Sequence, residues 1–254
     1  MAGHSKWAQI RRSKGVNDAR RGQLFTRLGR EIAVAVREGG SGDPAANFRL
    51  RMAIQRARDA NMPMENIERT IKRVLGGHEG ANLEEIVYEG YGPGGTAVLV
   101  QTLTENRNRT VAEVRNAFNR NGGNMGENGS VSWLFENKGV LEVELDGRDP
   151  DELSVEVLDM GADDVETAND GDSTLTVYTD PSNVEEVRKE MEKRQLKVVK
   201  SEATLVPKTR VDVSDEKTAH QLLRLLERLE DLDDVQNVYT NADFPEEFAS
   251  SYQS

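Results

Sequence analysis

The stretch that decides the fold is residues 139–206, GVLEVELDGRDPDELSVEVLDMGADDVETANDGDSTLTVYTDPSNVEEVRKEMEKRQLKVVKSEATLV. The period of its apolar residues switches between two and 3.6, which separates strands from helices. Strands are expected at 139–145, 163–167, 173–178 and 197–206, and helices at 150–160 and 181–194. The order βαββαβ makes a complete ferredoxin-like unit. Upstream, β-branched runs at 86–88 and 96–103 surround the turn-rich 90–95 (GYGPGG), so a hairpin-like connection is expected. A helix at 109–120 follows (Val111, Val114, Ala117, Phe118), then a Gly/Asn-rich loop at 121–129, then a strand at 131–135. Downstream, Ser214 opens a long helix carrying Leu222, Leu223, Leu225, Leu226 and Leu229, and 235–239 reads as a strand. The 83–136 block is one helix and one strand short of a sheet-and-helix layer, so residues 208–240 are expected to complete it, with the βαββαβ unit inserted.

The remaining N-terminal part reads as helical. Phe25, Leu28, Ile32 and Val36 recur at helical spacing over 16–37, while Arg20, Arg27, Arg30 and Arg37 project onto the opposite arc. Gly39-Gly40 ends this helix, and Gly42-Asp43-Pro44 reads as the start of the next, a cap followed by proline at the first helical position. There Leu50, Ile54 and Ala57 form the stripe, flanked by Arg49 and Arg56 on one side and Arg51 and Arg58 on the other. Met64, Ile67, Ile71 and Val74 mark a third helix. The expected fold class is α/β (α+β) in three domains: a basic helical domain (1–77), a middle α/β domain (78–136 plus 208–254) and an inserted ferredoxin-like domain (137–207).

Charge divides along the same boundary. The formal net charge of −12 hides 16 Lys+Arg against 7 Asp+Glu in residues 1–75, net +9, which leaves 17 against 38, net −21, for residues 76–254. Local field, not total charge, captures phosphates, so the basic part points to an anionic partner. Lys6, Trp7, Arg11, Arg12 and Lys14 form a basic arm, and with Arg20, Arg21, Arg27 and Arg30 they are the candidate nucleic-acid-binding residues. Docking of the basic part on the acidic one is the competing reading of the same charges.

Other chemistries find little support. There is no cysteine, hence no disulfide, thiolate site or cysteine nucleophile, and a reducing, cytoplasmic compartment is expected. The longest apolar runs, 32–36 and 97–100, fall far below the roughly 20 residues of a membrane span. The charged N-terminal stretch has no apolar h-region, so no secretory or transit signal is expected. The three histidines, His4, His78 and His220, are widely separated, and neither a phosphate-binding G-x-x-x-x-G-K-[ST] string nor a G-x-S-x-G elbow occurs. No catalytic activity, cofactor or metal is expected. In the stretch 105–110 (ENRNRT), capping by Asn106 or Asn108 competes with ligand contact, and the acidic run Glu230, Asp231, Asp233, Asp234 reads as a solvated helix end.

Several strings together resemble one family: Gly3-His4-Ser5-Lys6-Trp7, Asp18-Ala19-Arg20-Arg21-Gly22 with Phe25, Asn61-Met62-Pro63 with Asn66-Ile67-Glu68-Arg69, residues 88–95 (YEGYGPGG), Asn106-Arg107-Asn108-Arg109-Thr110, Gly129-Ser130-Val131, and Leu229-Glu230-Asp231 with Asp233-Asp234-Val235-Gln236. Over almost its whole length the chain is similar to the YebC/PmpR family of probable transcriptional regulatory proteins, whose mitochondrial relatives are translational activators. The resemblance implies three domains, the ferredoxin-like one inserted into the middle one, in agreement with the element order above. It also implies a cytoplasmic DNA-binding transcriptional regulator. The alternatives are a translation factor bound to rRNA or tRNA on the ribosome, its acidic domains holding basic proteins, and a non-catalytic interaction scaffold.

Overall fold

The structure, a computed structural model, describes residues 18–77, 83–166, 173–245 and 248, with the side chains of 18–20 outside the description. Three helices come first: α1 (Asp18–Gly39), α2 (Phe48–Asp59) and α3 (Met64–Leu75). Their facing stripes, among them Leu28, Ile32, Val36, Leu50, Ile54 and Ile67, close into one buried cluster. The second helix starts later than its Asp-Pro signal suggested. Asp43 instead turns the chain, its Oδ1 accepting from the Ala45 amide at 2.9 Å. Asn47 is the cap: its side-chain oxygen accepts from the Leu50 amide at 3.0 Å, while its Nδ2 donates to the Ala35 carbonyl of α1 at 2.7 Å. One buried amide thus satisfies the start of α2 and the last turn of α1, which Asp43 could not do.

The middle domain contains β1 (Glu84–Tyr91), β2 (Ala97–Thr104), α4 (Arg107–Arg120) and β3 (Asn124–Met125). The inserted domain follows as β4 (Phe135–Glu144), α5 (Pro150–Asp159), β5 (Asp164–Glu166), β6 (Thr174–Thr179), α6 (Val184–Lys193) and β7 (Val198–Pro207). The chain then returns through β8 (Val211–Asp212), α7 (Glu216–Glu230), β9 (Val235–Thr240) and β10 (Ala242–Asp243). Sheet order β5-β6-β4-β7, all neighbours antiparallel, is that of a ferredoxin-like sheet. The other large sheet has order β3-β1-β2-β9, so the last long strand pairs with β2 across the whole insertion. Helices α4 and α7 cover one face of it. Leu222, Leu223, Leu225, Leu226 and Leu229 of α7 are fully buried, each contributing roughly 1.5–3 kcal/mol of transfer free energy.

Residues 131–135 are not a strand. Ser132–Leu134 form a 3₁₀ turn, and β4 begins at Phe135. The cause is Glu89, a buried carboxylate in β1 that accepts the amides of Gly129, Val131 and Ser132, each at 2.7 Å. Those donors are therefore taken from any sheet partner. Burial would raise the Glu89 pKa, but these three amide bonds hold it below the ordinary carboxylate value. The preceding Gly/Asn loop is tied down as well: Met125 pairs with Gly90, where a Cβ would meet the Asn124 carbonyl at 2.6 Å. Among the described residues, no helix is long and apolar enough to cross a membrane.

Candidate nucleic-acid interface

The arginine arc of α1 turns inward to the middle domain. Arg27 Nη2 donates to the carbonyl of Glu230, the last residue of α7. Arg30 Nη1 donates to the Asp233 carbonyl at 2.6 Å and reaches Asp234 Oδ1 at 3.3 Å. Arg37 Nη2 donates to the Leu83 carbonyl at 2.9 Å. Between them Val34 is buried against Leu83 and Leu103. Arg27 and Arg30 satisfy carbonyls at and just beyond the C-terminal end of α7 and sit at the negative end of its dipole.

Asp234 is the centre of this socket. It is 2% exposed and accepts from Arg109 Nη2 at 2.7 Å, from Thr110 Oγ1 at 2.7 Å and from Thr104 Oγ1 at 3.1 Å, in addition to Arg30. The acidic run is therefore not simply a solvated helix end: one of its carboxylates is buried, and two of its carbonyls receive α1. Asn106 caps α4 by accepting from the Arg109 amide at 3.1 Å, which aims Arg109 and Thr110 at Asp234. Burial would push the Asp234 carboxyl up, but the hydrogen bonds from Arg109 and Thr110 hold it below its ordinary value. A group with a depressed folded pKa stabilises above its unfolded value, about 3.9, and that stability disappears as pH falls through the folded pKa. The urea midpoint is accordingly expected to drop more steeply between pH 5 and pH 3, as order-of-magnitude bounds around that value, in the wild type than in Asp234→Asn. Equal slopes would contradict it.

The arginines of α2 divide into two groups. Arg49 pairs with Glu38 and Glu85, while Arg56 pairs with Glu31 at 2.5 Å and donates to the Ala203 carbonyl of the inserted domain at 3.2 Å. Arg51 and Arg58, seven residues apart on the outer side, are exposed and have no carboxylate partner among the described residues. Arg51 lies over the exposed ring of Phe48, 5.2 Å from its centroid. On α1, Arg21 is exposed and lies 5.6 Å from the Phe25 centroid.

Of the candidate residues, Arg21 thus faces outward, whereas Arg27 and Arg30 serve the domain contact. Lys6, Trp7, Arg11, Arg12 and Lys14 lie outside the described residues, as does the Arg20 side chain. Arg51 and Arg58 were legible as one flank of the α2 stripe but carried no sign that they, and not Arg49 and Arg56, stay exposed and without a carboxylate partner among the described residues, Arg51 donating to the Pro44 carbonyl at 3.2 Å.

Residues 5–77 match the family described as "TACO1/YebC protein N-terminal domain", and residues 83–242 match "TACO1/YebC second and third domain". A "Probable transcriptional regulatory protein" of Chloroflexus aurantiacus is 54% identical, covering 100% of both chains. One of the same description from Halothermothrix orenii is 52% identical over 97% of each. Among solved structures, a conserved hypothetical protein of Aquifex aeolicus, Aq1575, is 46% identical with a TM-score of 0.77, covering 90% of this chain and 92% of that one.

Proposed function

This chain belongs to the TACO1/YebC family, and we propose that it is a regulator of gene expression that holds nucleic-acid phosphates with its basic helical domain and acts by binding, not by catalysis. The observation that carries this reading is the split of the arginines: Arg27, Arg30, Arg49 and Arg56 are committed to protein partners, while Arg21, Arg51 and Arg58 remain exposed. Exposed guanidinium groups on an outer face, joined to the basic arm, form the electrostatic footprint of phosphate contact. On this reading Arg27 and Arg30 fix the orientation of the domain and do not touch phosphate.

The relatives' names support transcriptional regulation as the role, and DNA is the partner we propose for the basic domain. A second reading, an RNA- or ribosome-associated translation factor, is favoured by Phe48, 55% exposed beside Arg51. Exposed rings next to cations suit the unstacked bases of RNA loops better than a closed duplex. Capture of the tagged protein from lysate, with and without nuclease, separates the two. Promoter DNA enriched on crosslinking supports the transcriptional role. Co-sedimentation with ribosomes at moderate salt without such enrichment replaces it with the translational one. Capture of neither nucleic acid would overturn the whole proposal and leave a protein scaffold.

A further inference from the structure

Trp133 is 65% exposed, although its neighbours Val131 and Phe135 are buried in the core. Packing does not account for so large an apolar side chain left in solvent inside a well-anchored turn. The turn itself is fixed by Glu89, which grips the amides of Gly129, Val131 and Ser132. Beside it stands Tyr91, the last residue of β1, 41% exposed. The Tyr91 hydroxyl donates to the Ser130 carbonyl at 3.0 Å and Trp133 Nε1 donates to the same carbonyl at 3.1 Å. A single oxygen therefore holds both polar tips side by side. Lys208 completes the group: its amide donates to the Leu134 carbonyl at 2.8 Å and its ammonium to the Trp133 carbonyl at 3.1 Å.

We propose that Tyr91 and Trp133 form a stacking platform for unpaired nucleobases, with Lys208 at its edge to meet the phosphate. The inference rests on the reading that the chain binds nucleic acid. Three observations support this kind of ligand. The ring tips are already hydrogen-bonded, so what they still offer is their faces, and base stacking needs only a face. The chain beside them contributes polar and small residues: Asn124 of β3 pairs with Tyr91, and Asn128, Gly129 and Ser130 lead into the Trp133 turn. Finally, the carboxylate-held turn makes the platform rigid before a ligand arrives, which lowers the ordering cost of binding.

The test compares a short deoxyadenosine strand with an abasic strand of the same length and charge. The full-length chain is expected to bind the base-bearing strand more tightly and to lose tryptophan fluorescence saturably on doing so. Trp133→Ala should weaken that strand about tenfold and leave the abasic strand unchanged. In a Trp7→Phe background, where Trp133 is the one tryptophan left, Trp133→Phe should keep most of the affinity while losing the quench, because a phenyl ring still stacks. Equal weakening of both strands by Trp133→Ala, or of neither, overturns the platform. Equal binding of the abasic and base-bearing strands by the wild type overturns it too while leaving phosphate contact standing, whereas failure of both strands to bind overturns both proposals.

Discussion

Asp234→Ala is expected to destabilise the protein by about 3 kcal/mol, measured as the loss in urea unfolding free energy near neutral pH. The side chain is 2% exposed and receives two hydroxyls and two guanidinium groups. Its removal leaves the buried Thr104 hydroxyl without its carboxylate acceptor, a stranded donor costing roughly 1–3 kcal/mol, while Thr110 falls back on the Asn106 carbonyl at 3.1 Å. The two arginines lose less, since their side chains are 27% and 50% exposed and water replaces part of the interaction. The position also joins three pieces of chain: α1 through Arg30, the start of α4 through Arg109 and Thr110, and the end of β2 through Thr104. Loosening of α1 should therefore accompany the loss and appear as faster amide exchange in residues 27–37 than in the inserted domain. A change below about 0.5 kcal/mol, the size of a surface substitution, would mean that Asp234 is not the socket's centre.

The second large effect concerns affinity. Each cation that neutralises a phosphate contributes about 0.9 to the slope of log affinity against log salt. Exchanging Lys6, Arg11, Arg12 and Lys14 for glutamate, or Arg21, Arg51 and Arg58 for glutamate, is expected to flatten that slope by about 3 and weaken binding roughly a hundredfold or more at low salt. The fold should survive the second set, because all three side chains are exposed. Arg27→Gln with Arg30→Gln should behave in the opposite way, lowering stability through the lost contacts to Glu230, Asp233 and Asp234 while leaving the slope in place. If the inner pair changed the slope and the outer set did not, the division of labour among the arginines would be inverted.

The element order was legible because period, charge and turn chemistry agreed along the chain. The βαββαβ unit and the long leucine-rich helix were read from local pattern alone, and the strand β9 that rejoins β2 followed from counting what the first block lacked. What stayed hidden depends on contacts far apart in sequence. Glu89 acts on a turn some forty residues later, so nothing near 131–135 announced that its amides were taken and the strand would be replaced by a 3₁₀ turn. Asp43-Pro44 carried the local helix-start signal, but Asn47 reaches α1 as well and so displaced it. The arc of α1 was legible; the protein contacts of Arg27 and Arg30 were not, because a guanidinium group serves a phosphate and a helix-end carbonyl equally well. Docking of the basic part on the acidic part, which competed with phosphate contact for these charges, accounts for Arg27 and Arg30, and the outward face of α2 keeps the remainder available.

The central claim, phosphate contact by the outer cations of the helical domain, is tested most directly by the affinity of the intact chain for a nucleic-acid strand, measured across a range of salt concentrations. The account predicts a linear fall of log affinity with log salt, with a slope steeper than about −3 that flattens in the Arg21, Arg51 and Arg58 variant. A flat dependence, or a slope identical in that variant and the wild type, would contradict it.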